Sequence, residues 1–212
     1  MRFTYDAITS EEAARQRSVY EPLTLAVRDL LDATIRTEAE PEVIAEAQRA
    51  IEHVTATLRA RQLPGPFGVR FTTDGQGQSW GNPVVGVRNP IAPPLVIERD
   101  GRRCWSDFEL GAAYEGPPDH VHGGISALIL DHILGEAASA GMTKPLFTGT
   151  ITLKYLRGTP LGPLRAEAWI DRVEGIKTYA RGHIVNAEGP TVQAEGVFIQ
   201  PAWAREGEAG EA

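Results

Sequence analysis

Cysteine is almost absent from this chain: Cys104 is the only one among 212 residues. A single cysteine excludes an internal disulfide and is typical of proteins kept in a reducing compartment. The first residues contain no apolar core of the kind that secretory signals carry, and their acidic side chains do not fit a transit peptide. We therefore expect a cytoplasmic protein.

Long apolar runs and an excess of positive charge are missing as well. No hydrophobic stretch approaches the ~20 residues that a membrane-spanning helix needs. The formal net charge is −7, which disfavours general binding to nucleic acid because an acidic surface is repelled by the phosphate backbone. The sequence therefore predicts neither a membrane span nor a nucleic-acid partner.

Residues 1–62 are predicted to form a helical extension. Thr9 followed by Glu12 fits a capping box, and Pro41 suits the first turn of a second helix. Apolar residues in both segments recur at helical spacing. Each segment thus carries one apolar stripe, and we expect the two helices to pack on a larger body.

The remainder of the chain divides into a linker, a main domain and a tail. Residues 63–94 are rich in glycine and proline, which predicts an irregular linker. An Asp-Gly pair at 100–101 indicates a hairpin, and a long apolar helix follows. Four strand-like runs come next: Leu146–Leu156, Leu164–Val173, Thr178–Asn186 and Thr191–Gln200. This order predicts an α+β domain over 95–202, with a long antiparallel sheet wrapped around a central helix; residues 203–212 are predicted to be a mobile tail.

The most informative segment is 116–135, which reads GPPDHVHGGISALILDHILG. A rigid turn leads into His122-Gly123-Gly124, where the helix is predicted to begin, and Asp131 lies in the middle of that apolar helix. The free backbone N–H groups and the positive dipole end at a helix start stabilise a negative oxygen. A carboxylate among apolar residues is costly unless it is paired or used. The combination favours attack on a carbonyl carbon.

The spacing of this motif predicts an oligomer. Nine residues separate His122 from Asp131, which corresponds to about 900° of helix rotation and roughly 13 Å of rise, so the two side chains lie on opposite faces. One chain cannot bring both to the same carbonyl, whereas two antiparallel copies of the helix can. We expect a homodimer, or a dimer of dimers, with the site shared across a two-fold axis.

The order of elements and this motif resemble the hotdog-fold acyl-CoA thioesterases of the phenylacetate-degradation (PaaI-like) type. The resemblance covers about 110–202 and is nearest to the mammalian mitochondrial long-chain acyl-CoA thioesterases. It rests on Gly116-Pro117-Pro118, His122-Gly123-Gly124, Asp131, Gly135, the run LKYLRGTPL at 153–161, and the segments 172–177 and 195–199. It implies a hotdog fold.

The same resemblance implies hydrolysis of an acyl-CoA to a free acid and CoA, with no metal or redox cofactor. The Gly123 N–H binds the thioester carbonyl oxygen in that family, and His122 shapes the site. Asp131 acts as general base on water or as nucleophile. Many PaaI-like relatives carry Asn or Gln six residues before the histidine, where this chain has Gly116.

Further residues follow from the resemblance and from charge. A hydroxyl residue on the next strand orients the water in the family; counting back from Tyr155 gives Thr148, and a shift of one residue in the intervening loop gives Thr150. Basic residues near the predicted turns are candidates for the phosphates of CoA: Arg157, Lys154, Lys177 and Arg181.

Two other functions stay open at the level of sequence. A hotdog dehydratase or hydratase pairs a histidine with a carboxylate to move protons along an acyl chain, and it releases no free thiol. A non-catalytic acyl-CoA-binding module binds its ligand without turnover. The pair His120 and His122 lacks the following Asp-His of binuclear metal hydrolases, so no metal site is predicted.

Overall fold

The computed structural model describes residues 4–141 and 144–208. The chain divides into two compact units, Met1–Asn82 with Gly86–Pro90, and Pro83–Val85 with Ile91–Ala212. The segment 63–94, which the sequence predicts as a linker, contributes residues to both units.

The first unit contains the two predicted helices, α1 (Ser10–Arg36) and α2 (Pro41–Arg59). The Oγ1 of Thr9 accepts a hydrogen bond from the Glu12 N–H at 3.3 Å, which satisfies one of the free donors of the first turn. Pro41 opens α2, where its missing N–H has no intrahelical partner to lose. The unit also has a small sheet of three strands: β1 (Thr4–Tyr5), β2 (Arg70–Phe71) and β3 (Gly77–Gln78).

The two helices differ in how much of their apolar surface is covered. Tyr20 of α1 lies 6.2 Å from Trp80 between ring centroids, and the guanidinium of Arg88 stacks over the Tyr20 ring at 3.9 Å. Trp80 stacks in turn on Phe67 at 5.5 Å, so α1 is anchored by an aromatic cluster. Helix α2 has no buried residue. Leu23, Leu30 and Ile35 of α1 are nonetheless 38–55% exposed, so the expected packing of both stripes on a larger body is not seen within the described part of the chain.

The second unit is a six-stranded sheet around one helix, α3 (Gly123–Ala138). The strands are β4 (Glu98–Asp100), β5 (Arg103–Leu110), β6 (Phe147–Tyr155), β7 (Gly162–Glu174), β8 (Lys177–Asn186) and β9 (Gly189–Ile199). They are ordered β4-β5-β7-β8-β9-β6, and every neighbouring pair is antiparallel. The α+β hotdog prediction is confirmed, together with the N-terminal helical extension.

Helix α3 is held against the sheet by small inward-facing residues. Its side chains Ile129, Leu130, Ile133 and Leu134 are fully buried. The strands β7, β8 and β9 face them with alanines, all almost fully buried: Ala166, Ala168, Ala180 and Ala194. Large side chains on the helix opposite small ones on the sheet allow close packing without voids. This packing fixes the position of α3, which carries the motif residues at its start and in its middle.

Two local features differ from the sequence prediction or extend it. Asp100 pairs with Arg103, so the hairpin turn is Gly101-Arg102, one residue later than the predicted Asp-Gly turn. Gly101 supplies the positive φ, +57°, that a tight hairpin turn requires.

Helix α4 (Ala202–Glu208) occupies most of the predicted tail, and residues 209–212 lie outside the described part. Among the described residues, no helix is both long and apolar enough to cross a membrane.

Candidate active site

The start of α3 is capped by a histidine. His122 is the N-cap, and its Nδ1 accepts a hydrogen bond from the Gly124 N–H at 3.0 Å. The His122 N–H in turn donates to the Tyr114 carbonyl at 2.9 Å. Because Nδ1 acts as an acceptor, the neutral ring carries its proton on Nε2. His122 therefore offers a donor, and not a free base, to anything that approaches the helix start.

Gly123 is the first residue of the helix, and its carbonyl accepts a hydrogen bond from the hydroxyl of Tyr155 at 2.8 Å. The first N–H groups of a helix have no intrahelical acceptor. Since His122 already engages the Gly124 N–H, the Gly123 N–H is the donor in the His-Gly-Gly run that is left to bind a negative oxygen. The sequence prediction named this same donor. It did not find the Tyr155 contact, which joins residues 32 positions apart.

The backbone of the turn before the helix explains why position 116 is a glycine. The Gly116 N–H donates to the His120 carbonyl at 2.9 Å. A Cβ at Gly116 would lie only 2.6 Å from the His122 Cα, which no real Cβ tolerates. The Asn or Gln that many PaaI-like proteins carry here does not fit this backbone. His120 is itself fixed in the turn, with Nδ1 2.8 Å from the Pro118 carbonyl.

Asp131 and Thr148 are in direct contact. The Thr148 hydroxyl donates to Asp131 Oδ1 at 2.9 Å, across the gap between β6 and α3. Asp131 is partly exposed, because it lies on the side of α3 that faces the edge strand β6. It is therefore not enclosed by apolar side chains as its sequence neighbours suggest. Solvent therefore reaches the carboxylate.

A β-bulge decides between the two threonines that the sequence left open. Thr148 pairs with Phe198, while Thr150 pairs with the adjacent Val197, so Gly149 is an extra residue in β6. Side chains two positions apart in a regular strand share a face, and the extra residue places these two on opposite faces. Thr150 lines a cavity of about 190 Å³ on the outer face of the sheet. The structure brings Thr148, and not Thr150, to Asp131.

Two comparisons with known proteins bear on this arrangement. A sequence model described as the Thioesterase superfamily matches residues 119–193, the range that contains the helix start, Asp131 and Thr148. A thioesterase superfamily protein of known crystal structure is 31% identical, with a TM-score of 0.75, over 85% of this chain and 90% of that chain. The chain belongs to the thioesterase superfamily. The match extends well beyond the hotdog unit and therefore includes part of the helical extension.

Other solved structures resemble only part of this thioesterase superfamily chain. The PaaI protein of the phenylacetic acid degradation operon of E. coli is 17% identical, with a TM-score of 0.47, over 51% of this chain and 80% of its own. A phenylacetic acid degradation-related protein of Ralstonia eutropha JMP134 is 21% identical, with a TM-score of 0.46, over 50% of this chain and 83% of its own.

The side chain of Arg157 makes hydrogen bonds within this superfamily member. Its guanidinium donates to the Gly189 carbonyl at 2.8 Å, to the Pro190 carbonyl at 3.3 Å and to Glu188 Oε2 at 3.0 Å. It also donates to the side-chain oxygen of Asn186. These bonds tie the end of β6 to the β8–β9 turn. The contact with a CoA phosphate, predicted from the sequence, stays a prediction.

The other three basic residues are spread along the sheet. Strand pairing places Lys177 level with the first residue of β6, Arg181 level with its middle and Lys154 near its end. Arg181 Nε lies 3.3 Å from Glu195 Oε1 and 3.7 Å from Asp171 Oδ1. One chain therefore does not bring the four predicted CoA-binding residues together.

A polar cluster that sequence reasoning missed lies on the buried side of α3. The guanidinium of Arg99 bonds to Glu136, and the Nε2 of His132 is 3.5 Å from Glu136 Oε1. Burial lowers the pKa of His132, against the opposing effects of Glu136 and Asp131. The Cys104 thiol donates to the Ile133 carbonyl at 3.3 Å, and burial is the main cause that raises its pKa to about 12. Cys104 is therefore an unreactive core residue.

In the part of the chain that the structure describes, no group of three or more histidine, cysteine or acidic residues could hold a metal ion.

Proposed function

We propose that this chain is an acyl-CoA thioesterase, which hydrolyses an acyl-CoA to the free acid and CoA. Membership of the thioesterase superfamily supports thioester hydrolysis in general. The observation that carries the proposal is the hydrogen bond from Thr148 to Asp131 Oδ1 at 2.9 Å. It gives a solvent-reachable carboxylate a fixed orientation beside a hydroxyl that can still accept a hydrogen bond from water.

The reaction follows from these groups. Water held by Thr148 and Asp131 attacks the thioester carbonyl carbon and passes a proton to the Asp131 carboxylate. The carbonyl oxygen becomes an oxyanion, which accepts a hydrogen bond from the Gly123 N–H at the positive end of α3. The C–S bond then breaks, and CoA leaves as a thiolate that takes up a proton. Every step uses groups of the chain and water, so we propose that no metal or redox cofactor takes part.

The two halves of this site belong to different copies of the chain in our proposal. Gly123 and Asp131 are eight residues apart on one helix, about 12 Å along the axis. A single carbonyl group cannot touch both. Two α3 helices related by a two-fold axis and running antiparallel bring Gly123 of one copy to Asp131 of the other. The proposed enzyme is thus a homodimer or a dimer of dimers.

The tautomer of His122 disfavours the dehydratase or hydratase alternative. That chemistry needs a histidine that takes a proton from the acyl chain. His122 Nδ1 is occupied by the Gly124 N–H, so the neutral ring holds its proton on Nε2 and has no lone pair free for this task. In the proposed thioesterase, His122 fixes the helix start that carries the Gly123 donor.

The acyl-CoA specificity, the location and the branch of the superfamily are parts of the same proposal. Lys154, Lys177 and Arg181 are exposed cations that can meet the phosphates of CoA once two copies assemble. The absence of a disulfide partner for Cys104 supports a cytoplasmic location. The likeness to the mitochondrial long-chain branch stays a prediction from sequence.

Thiol release tests the proposal. Purified protein is offered a panel of acyl-CoAs of varied length, and free CoA is measured with a thiol reagent. We expect release by the wild type and a loss of about 10²- to 10⁴-fold in Asp131→Asn, because the amide cannot accept a proton. Asp107→Asn, a change on an exposed strand position, is the matched control. Binding of acyl-CoA without thiol release in the wild type would favour the binding-module alternative instead.

A further inference from the structure

Helix α2 carries an apolar face that nothing in the described chain covers. Its large apolar side chains are 40–54% exposed, and the helix has no buried residue. They are Val43, Ile44, Ile51, Val54 and Leu58. A helix of this length is only marginally stable in water unless an apolar face is packed. We therefore expect another apolar surface to cover this face.

The apolar residues of that face recur with a seven-residue repeat. Ile44, Ile51 and Leu58 recur every seven residues, and Ala47 and Val54 follow the first two by three positions. This is the a and d pattern of a helix that packs along another helix. The flanking e and g positions carry no charge: Val43, Gln48, Ala50, Thr55 and Thr57. All charged residues of α2 lie on the opposite face, so the partner surface is apolar too.

Charge along the helix favours a second copy of the same helix in the antiparallel direction. The N-terminal end is acidic, with Glu40, Glu42 and Glu46, and the C-terminal end is basic, with Arg59 and Arg61. The charged side chains of α2 face away from the interface, but antiparallel pairing brings the acidic end of each copy level with the basic end of the other and opposes the two helix dipoles. Parallel pairing would bring like-charged ends to the same level and align the two dipoles.

Side-chain size fixes the register. When Ile51 lies opposite Val54 of the second copy, Ala47 lies opposite Leu58, and the same pairs recur on the other side of the two-fold axis. Each of these layers then joins a larger side chain to a smaller one, which packs without voids, while Ile44 lies level with Arg61 at the end of the pair. In a parallel pair, Ala47 would face only its own copy and leave a gap.

We propose that α2 packs antiparallel against α2 of a second copy of this chain, with Ala47 opposite Leu58 and Ile51 opposite Val54. This interface involves none of the residues of the proposed active site. It does not depend on the thioesterase assignment.

Cysteine cross-linking in the full-length chain tests both the partner and the direction. The double variant Ala47→Cys/Leu58→Cys is treated with a short bis-maleimide reagent. Within one helix these positions are about 16 Å apart, too far for the reagent, but across the proposed pair they are neighbours. Cys104 does not compete, because its thiol is buried with a raised pKa. We expect a covalent dimer on a denaturing gel for the double variant and none for either single variant.

The matched control is Arg49→Cys/Ala56→Cys. These positions are level with each other in the proposed register but lie on the charged face, so no dimer is expected. Cross-linking of Ala47→Cys alone or Leu58→Cys alone would overturn the antiparallel direction. The absence of any product, with helical content unchanged by circular dichroism, would show that another occupant covers this face. A dimer formed through α3 alone gives no product with any of these variants.

Discussion

Thr148 and Asp131 lie 17 residues apart, and the hydroxyl of one donates to the carboxylate of the other at 2.9 Å. This bond holds the carboxylate in one rotamer and leaves the hydroxyl oxygen free to accept a hydrogen bond from water.

Thr148→Val should lower kcat by roughly 10- to 100-fold, since a hydrogen bond to a charged group contributes about 1.5–3 kcal/mol. The valine keeps the shape and removes the donor. Thr150→Val is the matched control, because the bulge places that side chain on the outer face. Steady-state thiol release from an acyl-CoA measures both variants. Equal losses in the two would mean that Thr148 has no particular part in the reaction.

Two inactive variants should restore each other if the site is shared. Gly123→Pro removes the proposed oxyanion donor, and His122 already has the extended ψ of 132° that a residue before proline prefers. Asp131→Asn removes the base. In a heterodimer one of the two sites is intact, so random pairing should return about a quarter of wild-type activity. Co-expression with two affinity tags isolates the heterodimer; a heterodimer without thiol release would place both groups in one chain's site.

Tyr155→Phe should lower kcat by about 2- to 10-fold with little change in KM, which matches the 0.5–1.5 kcal/mol of a neutral hydrogen bond. The ring would still pack against Gly123, but the hydroxyl that fixes the Gly123 carbonyl would be lost. Tyr179→Phe, on the outer face, serves as comparison. A rise in KM with constant kcat would indicate that Tyr155 contacts substrate and does not position the helix start.

Arg157→Ala should lower the free energy of unfolding by about 1–3 kcal/mol, because carbonyl and carboxylate oxygens of the β8–β9 turn lose their donor. Urea denaturation measures this loss. The same variant tests the predicted CoA contact when acyl-CoA and acyl-pantetheine are compared as substrates. A KM increase restricted to acyl-CoA would assign Arg157 to the nucleotide, and equal changes would confine it to the turn.

Stability should fall as the pH drops below about 7. Burial lowers the pKa of His132 in the folded chain, whereas the unfolded chain takes up a proton near pH 6.5. The unfolded state therefore binds more protons in the window between 6.5 and the lowered value, and the stabilisation present above pH 6.5 is lost across it. His183, whose pKa burial also lowers, adds to the slope.

Urea unfolding at pH 7.5 and 5.5 measures this dependence. His132→Gln should reduce the difference between the two pH values, and His132→Gln/His183→Gln should reduce it further. An unchanged difference in both variants would exclude buried neutral histidine as its cause.

Local signals were sufficient for much of this molecule. The capping by Thr9, the helix start at His122 and the four long strands all follow from patterns within a few residues. The contacts that were missed join distant positions, as with Tyr155 and Gly123 or Arg99 and Glu136. No spacing rule connects such residues, because the sheet order that brings them together is itself the product of tertiary packing. The uncovered face of α2 was equally out of reach, since a stripe predicts that a helix packs but not on what.

The extra residue in β6 also determines which side chains of this strand point toward α3. Thr148 and Tyr155 are seven positions apart, so an uninterrupted strand would direct them to opposite faces. Gly149 shifts the alternation by one, and both side chains reach α3 from the same strand. In a related chain that lacks this insertion, the hydroxyl that serves the carboxylate will be found at an even distance from the aromatic residue. An alignment drawn by spacing alone would then assign the water-orienting role to the wrong position.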